Sequence, residues 1–145
     1  MPDLALSVIA LGVSDFARSV AFYEGLGLIR RVKATGDEIA FFDAGGAVLA
    51  VMPWDLLAED AQVPAQPRPQ AFRGVTLARN CGSVADVDAL FTRALKLGAR
   101  PVKQPQKTPY GGYSGYFADP DDHVWEVVHV PNFPVMTDGR VQLPD

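Results

Sequence analysis

Leu11-Gly12-Val13-Ser14-Asp15-Phe16-Ala17-Arg18-Ser19-Val20-Ala21-Phe22-Tyr23, closed by Leu26-Gly27-Leu28, decides how the chain begins to fold. Upstream of it, residues 4–13 are apolar and partly β-branched, the signature of a buried strand. Ser14 and Asp15 then offer side-chain oxygens to cap a helix. Phe16, Val20, Tyr23 and Leu26 recur at helical spacing, and Gly25 and Gly27 end the segment by taking backbone angles other residues avoid. Strands are predicted over 28–34 and 39–43, with a turn at Thr35-Gly36-Asp37 between them. Ala44-Gly45-Gly46 then reads as a tight hairpin into a strand over 47–52. The order is β-α-β-β-β.

The second half repeats that order. A strand is predicted over 72–79, and Ser83 caps a helix whose apolar stripe is Val87, Leu90, Phe91, Ala94 and Leu97. Gly98 stops it. Further strands are predicted over 101–104, 113–118 and 123–130, with an Asp119-Pro120-Asp121-Asp122 turn before the last. The junctions Leu26-Gly27-Leu28 and Leu97-Gly98-Ala99 lie about 70 residues apart and mark the repeat. Pro53, Pro64, Pro67 and Pro69 make 53–71 a linker, with at most a helical turn or two after Trp54. The domain reading is therefore one α+β domain over 1–145: a βαβββ module at 4–52, the linker, a second module at 72–130, and a surface tail at 131–145.

Composition excludes several function classes. Hydrophobic residues make up 48% of the 145 and charged residues 21%, enough for a packed core and too apolar for disorder. Thirteen Lys and Arg against seventeen Asp and Glu give a net charge of −4, the wrong sign for a nucleic-acid or anionic-membrane surface. Cys81 is the sole cysteine, so a disulfide-stapled secreted scaffold is not expected. The apolar run at 4–13 is too short to span a bilayer and lacks the flanks of a leader. A cytoplasmic protein is the expectation.

Two segments carry a likeness to a known family. One is the opening Leu11-to-Tyr23 stretch with its Leu-Gly-Leu; the other is Gly115-Tyr116-Phe117-Ala118-Asp119-Pro120-Asp121-Asp122-His123-Val124-Trp125-Glu126. Together with the doubled βαβββ order they resemble the vicinal oxygen chelate superfamily, which groups glyoxalase-like, bleomycin-resistance-like and extradiol-dioxygenase-like proteins. The family usually has Gly where Asp122 stands. That turn position needs a positive φ, which Asp tolerates better than most residues.

The resemblance implies two modules rolled around a shared cleft, where catalytic members hold a divalent metal by ligands from the first and last strand of each module. Carried over position by position, those sites are Val8, Ala50, Val75 and Glu126. Only Glu126 can donate to a metal. One residue to either side, Ser7, Ile9, Leu49, Val51, Gly74 and Thr76 are poor ligands for zinc, nickel or iron. Strand alternation puts His123 and His129 on the face opposite Glu126. The expectation is no metal and no cofactor.

Glu126 is then the candidate catalytic residue, since a carboxyl lining an apolar cleft can serve as acid or base. It can equally be a structural ion pair with Arg73 or Arg79, or a relic of a metal-binding ancestor. Candidate ligand-lining residues are Val8, Ala50, Met52, Trp54, Arg73, Val75, Tyr110, Tyr113 and Glu126. Tyr110 and Tyr113 flank Gly111-Gly112 as a stacking lid, and Tyr116, inside its strand, reads as packing. Met52 and Trp54 either rim the cleft or cover the linker. Trp125 reads as core. Cys81 lies just before a helix cap, which can lower a thiol pKa, but with no histidine near in sequence it reads as a bystander. The leading function is a metal-independent protein that binds a small apolar or aromatic molecule, similar to bleomycin-resistance proteins. It is expected as a homodimer, with no nucleic-acid or membrane partner. The alternative is a lyase, isomerase or dioxygenase-type enzyme using Glu126; a third reading is a purely structural dimer module.

Overall fold

The computed structural model describes residues 2–66, 68–69 and 71–145 and divides into two compact units, Met1–Arg68 and Pro69–Asp145. The division falls inside the stretch expected as a linker, of which Pro67 and Gln70 lie outside the described residues.

The first unit runs β1 (Val8–Val13), α1 (Phe16–Gly25), β2 (Arg30–Arg31), β3 (Ala40–Asp43), β4 (Val48–Pro53) and α2 (Trp54–Ala61). Its sheet has the order β1-β4-β3-β2, with β1 parallel to β4 and the other pairs antiparallel. Asp15 caps α1 as the sequence predicts, its Oδ1 accepting the Arg18 amide at 3.0 Å. The buried side of α1 is Ser19, Phe22 and Tyr23, and the Tyr23 ring lies 6.2 Å from Phe42 of β3. Leu49 and Val51 of β4 complete this core, each such side chain contributing about 1.5–3 kcal/mol on burial.

Two expectations for this unit need correction. The first strand is shorter than 4–13: Leu4 and Leu6 are 88% and 69% exposed. Parallel pairing starts at Val8 with Val48, whose amide donates to the Ser7 carbonyl at 2.8 Å, and the register pairs no residue before Val8. The strand expected at 28–34 shrinks to two residues, because Val32 turns left-handed (φ 51°) into a 3-10 turn at Lys33–Thr35. The two helical turns allowed after Trp54 form as the eight-residue helix α2, which packs on β1 and β4.

The second unit runs β5 (Thr76–Asn80), α3 (Val84–Lys96), β6 (Arg100–Lys107), β7 (Tyr113–Ala118) and β8 (Val124–His129), in the order β5-β8-β7-β6. This is the first unit's topology again, β5 being parallel to β8. Ser83 caps α3 through the Asp86 amide at 3.1 Å, and Val87, Phe91 and Ala94 are its buried stripe. Phe117, stacked on Trp125 at 6.4 Å, and Val127 form the sheet's buried side. β5 begins at Thr76 rather than 72, since β8 offers its first partner at Val124. β6 is twice the expected length and runs through Pro101 and Pro105. An edge strand tolerates prolines, and two register shifts absorb them. The Asp119-Pro120-Asp121-Asp122 turn is locked by Asp119 Oδ1, which accepts the Asp121 and His123 amides at 2.9 Å. Asp122 has φ 65°, the angle its glycine-like position demands. The tail folds back through a bridge between Val135 and Val141, and Arg79 donates to the Gly139 carbonyl at 3.5 Å.

Candidate functional site

Strand alternation sorts the second sheet into two faces. Phe117, Trp125, Val127 and His129 share the side on which α3 packs, where the Tyr113 hydroxyl donates to Asp88 of α3 at 2.7 Å. The other side carries Glu126. Tyr116 stands directly across the β7–β8 ladder from it and Ser114 diagonally. Both hydroxyls donate to one carboxylate oxygen: Ser114 Oγ to Glu126 Oε2 at 2.7 Å, Tyr116 Oη to the same atom at 3.0 Å. Ser114 is buried; Tyr116 and Glu126 are half-buried. Two bonds on one oxygen hold the carboxylate's plane and leave Oε1 with no hydrogen bond from the described residues. Oε1 is thus an acceptor for an N–H or O–H brought by another molecule. Burial, and then the bond to Glu126, hold the Tyr116 phenol above its ordinary pKa, so it stays a proton donor at neutral pH.

The arginines expected to pair with Glu126 do other work. Arg73 donates to the Asp121 carbonyl at 3.0 Å and meets His123 Nδ1 at 3.2 Å, stapling the β7–β8 turn to the segment before β5. Arg79 holds the tail. Tyr113, expected among the ligand-lining residues, bonds to Asp88 of α3, whereas Tyr116, expected to be packing, bonds to Glu126. Sequence alone left the register of this hairpin one residue open: symmetry about Asp-Pro-Asp-Asp would set 116 opposite 125, whereas the loop closes from the Asp119 amide to the His123 carbonyl and sets Tyr116 opposite Glu126. Tyr110 is 62% exposed on the β6–β7 turn. Cys81 is buried, and desolvation pushes its thiol pKa up, overriding the nearby Arg79 and opposite to the lowering a helix cap can give.

In the first unit, Val8, Ala10, Ala50 and Met52 share the sheet side opposite the Leu49 and Val51 core, where Ala50 pairs with Ala10. Trp54, at the start of α2, comes so close to Gly12 that a Cβ there would lie 3.1 Å from its ring. The indole donates to the Ala65 carbonyl at 2.9 Å and lies under the Arg68 guanidinium. Trp54 is therefore engaged with the stretch that follows α2.

The four metal-ligand positions can now be placed within their own sheets. Val8 and Ala50 lie on one side of the first sheet. In the second, the register pairs Thr76 with Val124 and Ala78 with Glu126, so Thr76, not Val75, is the β5 residue on the Glu126 side. Val75 precedes the strand and is 62% exposed. A methyl, an isopropyl, a lone hydroxyl and one carboxylate, the last already bound by two hydroxyls, do not fit a transition metal. Among the described residues no three His, Cys, Asp or Glu side chains come together as a metal cradle.

The doubled βαβββ topology agrees with comparisons to known proteins. A glyoxalase-related enzyme from Fulvimarina pelagi is 34% identical, with a TM-score of 0.87 over 97% of this chain and 99% of that one. A lactoylglutathione lyase from Agrobacterium tumefaciens is 30% identical, with a TM-score of 0.65 over 88% and 95%. TioX from Micromonospora sp. ML1, 20% identical over 86% and 98% with a TM-score of 0.61, shares the fold. No curated protein matches the chain significantly. The sequence profile of the Glyoxalase/Bleomycin resistance protein/Dioxygenase superfamily spans residues 5–127, and with the two sheets above it shows that the chain belongs to that superfamily.

Proposed function

We propose that the protein binds a small organic molecule on the Glu126 side of the second sheet, without a metal and without turning it over, in the manner of bleomycin-resistance-type sequestering proteins. The carrying observation is the carboxylate held by Ser114 and Tyr116 with Oε1 left for a ligand's donor. The Tyr116 ring beside it supplies an aromatic surface. Support for binding over catalysis comes from the donor set: three of the four positions that hold metal in catalytic relatives carry no usable ligand here. The reading includes a homodimer, because each sheet ends in edge strands suited to pairing. It also includes a cytoplasmic setting, with one unpaired thiol and no helix long and apolar enough to cross a membrane.

A thermal-shift screen against thiol adducts, catechols and cationic antibiotics tests it. A ligand at a hundredfold excess over its Kd stabilises the native state by about 2.7 kcal/mol. The shift is expected to shrink in Glu126→Gln, and the ligand to be recovered unchanged. Equal stabilisation of wild type and Glu126→Gln would remove Glu126 from the site.

One observation favours a second reading, acid–base catalysis by the same group. The Tyr116 hydroxyl bonded to Glu126 forms a proton path, and one similar structure is named a lyase. Under that reading Glu126→Gln abolishes product formation while affinity stays within a few-fold.

A further inference from the structure

The ladder between β6 and β7 is not regular. It pairs Arg100 with Ala118 and Pro101 with Phe117, then Lys103 with Tyr116, then Gln106 with Ser114 and Lys107 with Tyr113. Each of the two shifts inserts one extra residue into β6. Without the first, Val102 would stand opposite Tyr116 and Lys103 would face the α3 side. The extra residue exchanges them. Val102 is left 47% exposed, a loss that packing does not explain. Lys103 joins Tyr116, Glu126 and Ala78 in one row across the sheet.

The second shift is built as deliberately. Pro105 lies so close over Gly115 that an added Cβ would sit 2.8 Å from its Cγ and 2.9 Å from its nitrogen. Only glycine permits that approach. Bulges of this kind re-aim side chains beside functional sites.

An equivalent row exists in the first unit. Arg31 pairs with Phe41, Phe41 with Ala50, and Ala50 with Ala10. Cation, aromatic ring, variable residue and alanine thus hold the same strand positions twice. Neither Arg31 nor Lys103 has a hydrogen bond or ion pair among the described residues.

We propose that Lys103 holds an anionic group of the ligand whose donor group Glu126 accepts, so that the ligand is a small aromatic zwitterion lying along the Lys103–Tyr116–Glu126 row. The inference rests on the Glu126 reading above and names its ligand class. Strands β6 and β8 lie two spacings apart, about 10 Å. That is the scale of one aromatic ring bearing an amine at one end and a carboxylate at the other.

Three probes divide the claim: para-(aminomethyl)benzoate carries both charges, benzylamine the cation alone, and para-toluate the anion alone. Calorimetric titration of wild type, Lys103→Met, Lys103→Arg and Glu126→Gln is the experiment. The zwitterion is expected to bind most tightly. Lys103→Met weakens the zwitterion and para-toluate by about tenfold, the worth of one charge-assisted contact, and leaves benzylamine unchanged. Lys103→Arg restores binding, and Glu126→Gln weakens benzylamine and the zwitterion. If Lys103→Met leaves zwitterion affinity intact while Glu126→Gln lowers it, the inference falls and the Glu126 reading stands. If Glu126→Gln changes nothing while Lys103→Met does, the Glu126 reading falls. No binding of any probe at millimolar concentration overturns both.

Discussion

Gly115→Ala tests the bulged edge directly, because the structure gives the collision it would cause. The new methyl would meet Pro105 at 2.8 Å (Cγ), 2.9 Å (N) and 3.0 Å (Cα). Ordinary carbon contacts begin near 3.5–4.0 Å, so β6 must retreat by about 0.8 Å. Two of the three atoms are backbone, so a rotamer change cannot absorb the clash. Overpacking of this kind costs about 1–3 kcal/mol, offset by about 0.4–1 kcal/mol from the stiffer unfolded chain. The net loss of about 1–2 kcal/mol lowers Tm by about 2–8 °C for a chain of this size. Calorimetric melting measures it. Gly98→Ala is the contrast: φ is 106° there and a Cβ meets nothing within 4 Å, so its cost is backbone strain alone. Adding Pro105→Ala to Gly115→Ala removes only the Cγ contact and is expected to rescue part of the loss. A Gly115→Ala variant that melts at or above the wild-type temperature would refute the close approach, and with it the bulge that orients Lys103.

Three further outcomes follow from the same geometry. Ser114→Ala deletes a buried donor 2.7 Å from the Glu126 carboxylate and should lower stability by about 1–2 kcal/mol, read from the urea midpoint at constant m. Tyr113 and Tyr116 hold their phenol protons more tightly than free tyrosine, Tyr113 chiefly through Asp88 and Tyr116 chiefly through burial. A raised folded pKa gives stability that is full below the unfolded value, here 10.0, and lost as pH climbs through the folded one. Denaturant midpoints should therefore fall above pH 10, and less steeply in Tyr116→Phe; equal slopes would contradict this. Cys81, buried with a raised thiol pKa, should resist alkylation by iodoacetamide at neutral pH until denaturant opens the second unit.

How far the sequence foretold this molecule depends on what each residue's signal is local to. Helix caps at Asp15 and Ser83 bond to amides three residues on, and both were legible. So was the positive φ of Asp122, which the turn alone dictates. Strand ends were not, because β1 and β5 begin where β4 and β8 supply partners, and that depends on residues some forty positions away. The two turns of α2 were legible among the prolines, but the Arg68 guanidinium over the Trp54 ring, which ties the stretch together, was not. Glu126 stood out from sequence as the one donor among four positions. Its true partners did not, since a carboxylate near arginines suggests an ion pair. The hairpin register places two hydroxyls closer than any guanidinium.

The same distinction explains why the Lys103 row escapes any reading based on alternation. Period-two logic assigns faces correctly along β7 and β8, whose ladder runs unbroken from Tyr113–His129 to Ala118–Val124. In β6 an extra residue between Pro101 and Lys103 reverses the parity, and another before Gln106 corrects for it. Counted naively, Val102 faces the ligand side and Lys103 faces α3, a row whose one charge is the Glu126 carboxylate and that would suit a cationic ligand. The observed row carries a cation, a phenol and an acid, so the chemistry expected of the ligand changes from cationic to zwitterionic on the position of one residue. The first unit reaches the same arrangement, Arg31 beside Phe41, through a short β2–β3 ladder in regular register. Arrival at one pattern by a regular ladder in one unit and a bulged ladder in the other is what constraint on the side chains, rather than on the backbone, would produce.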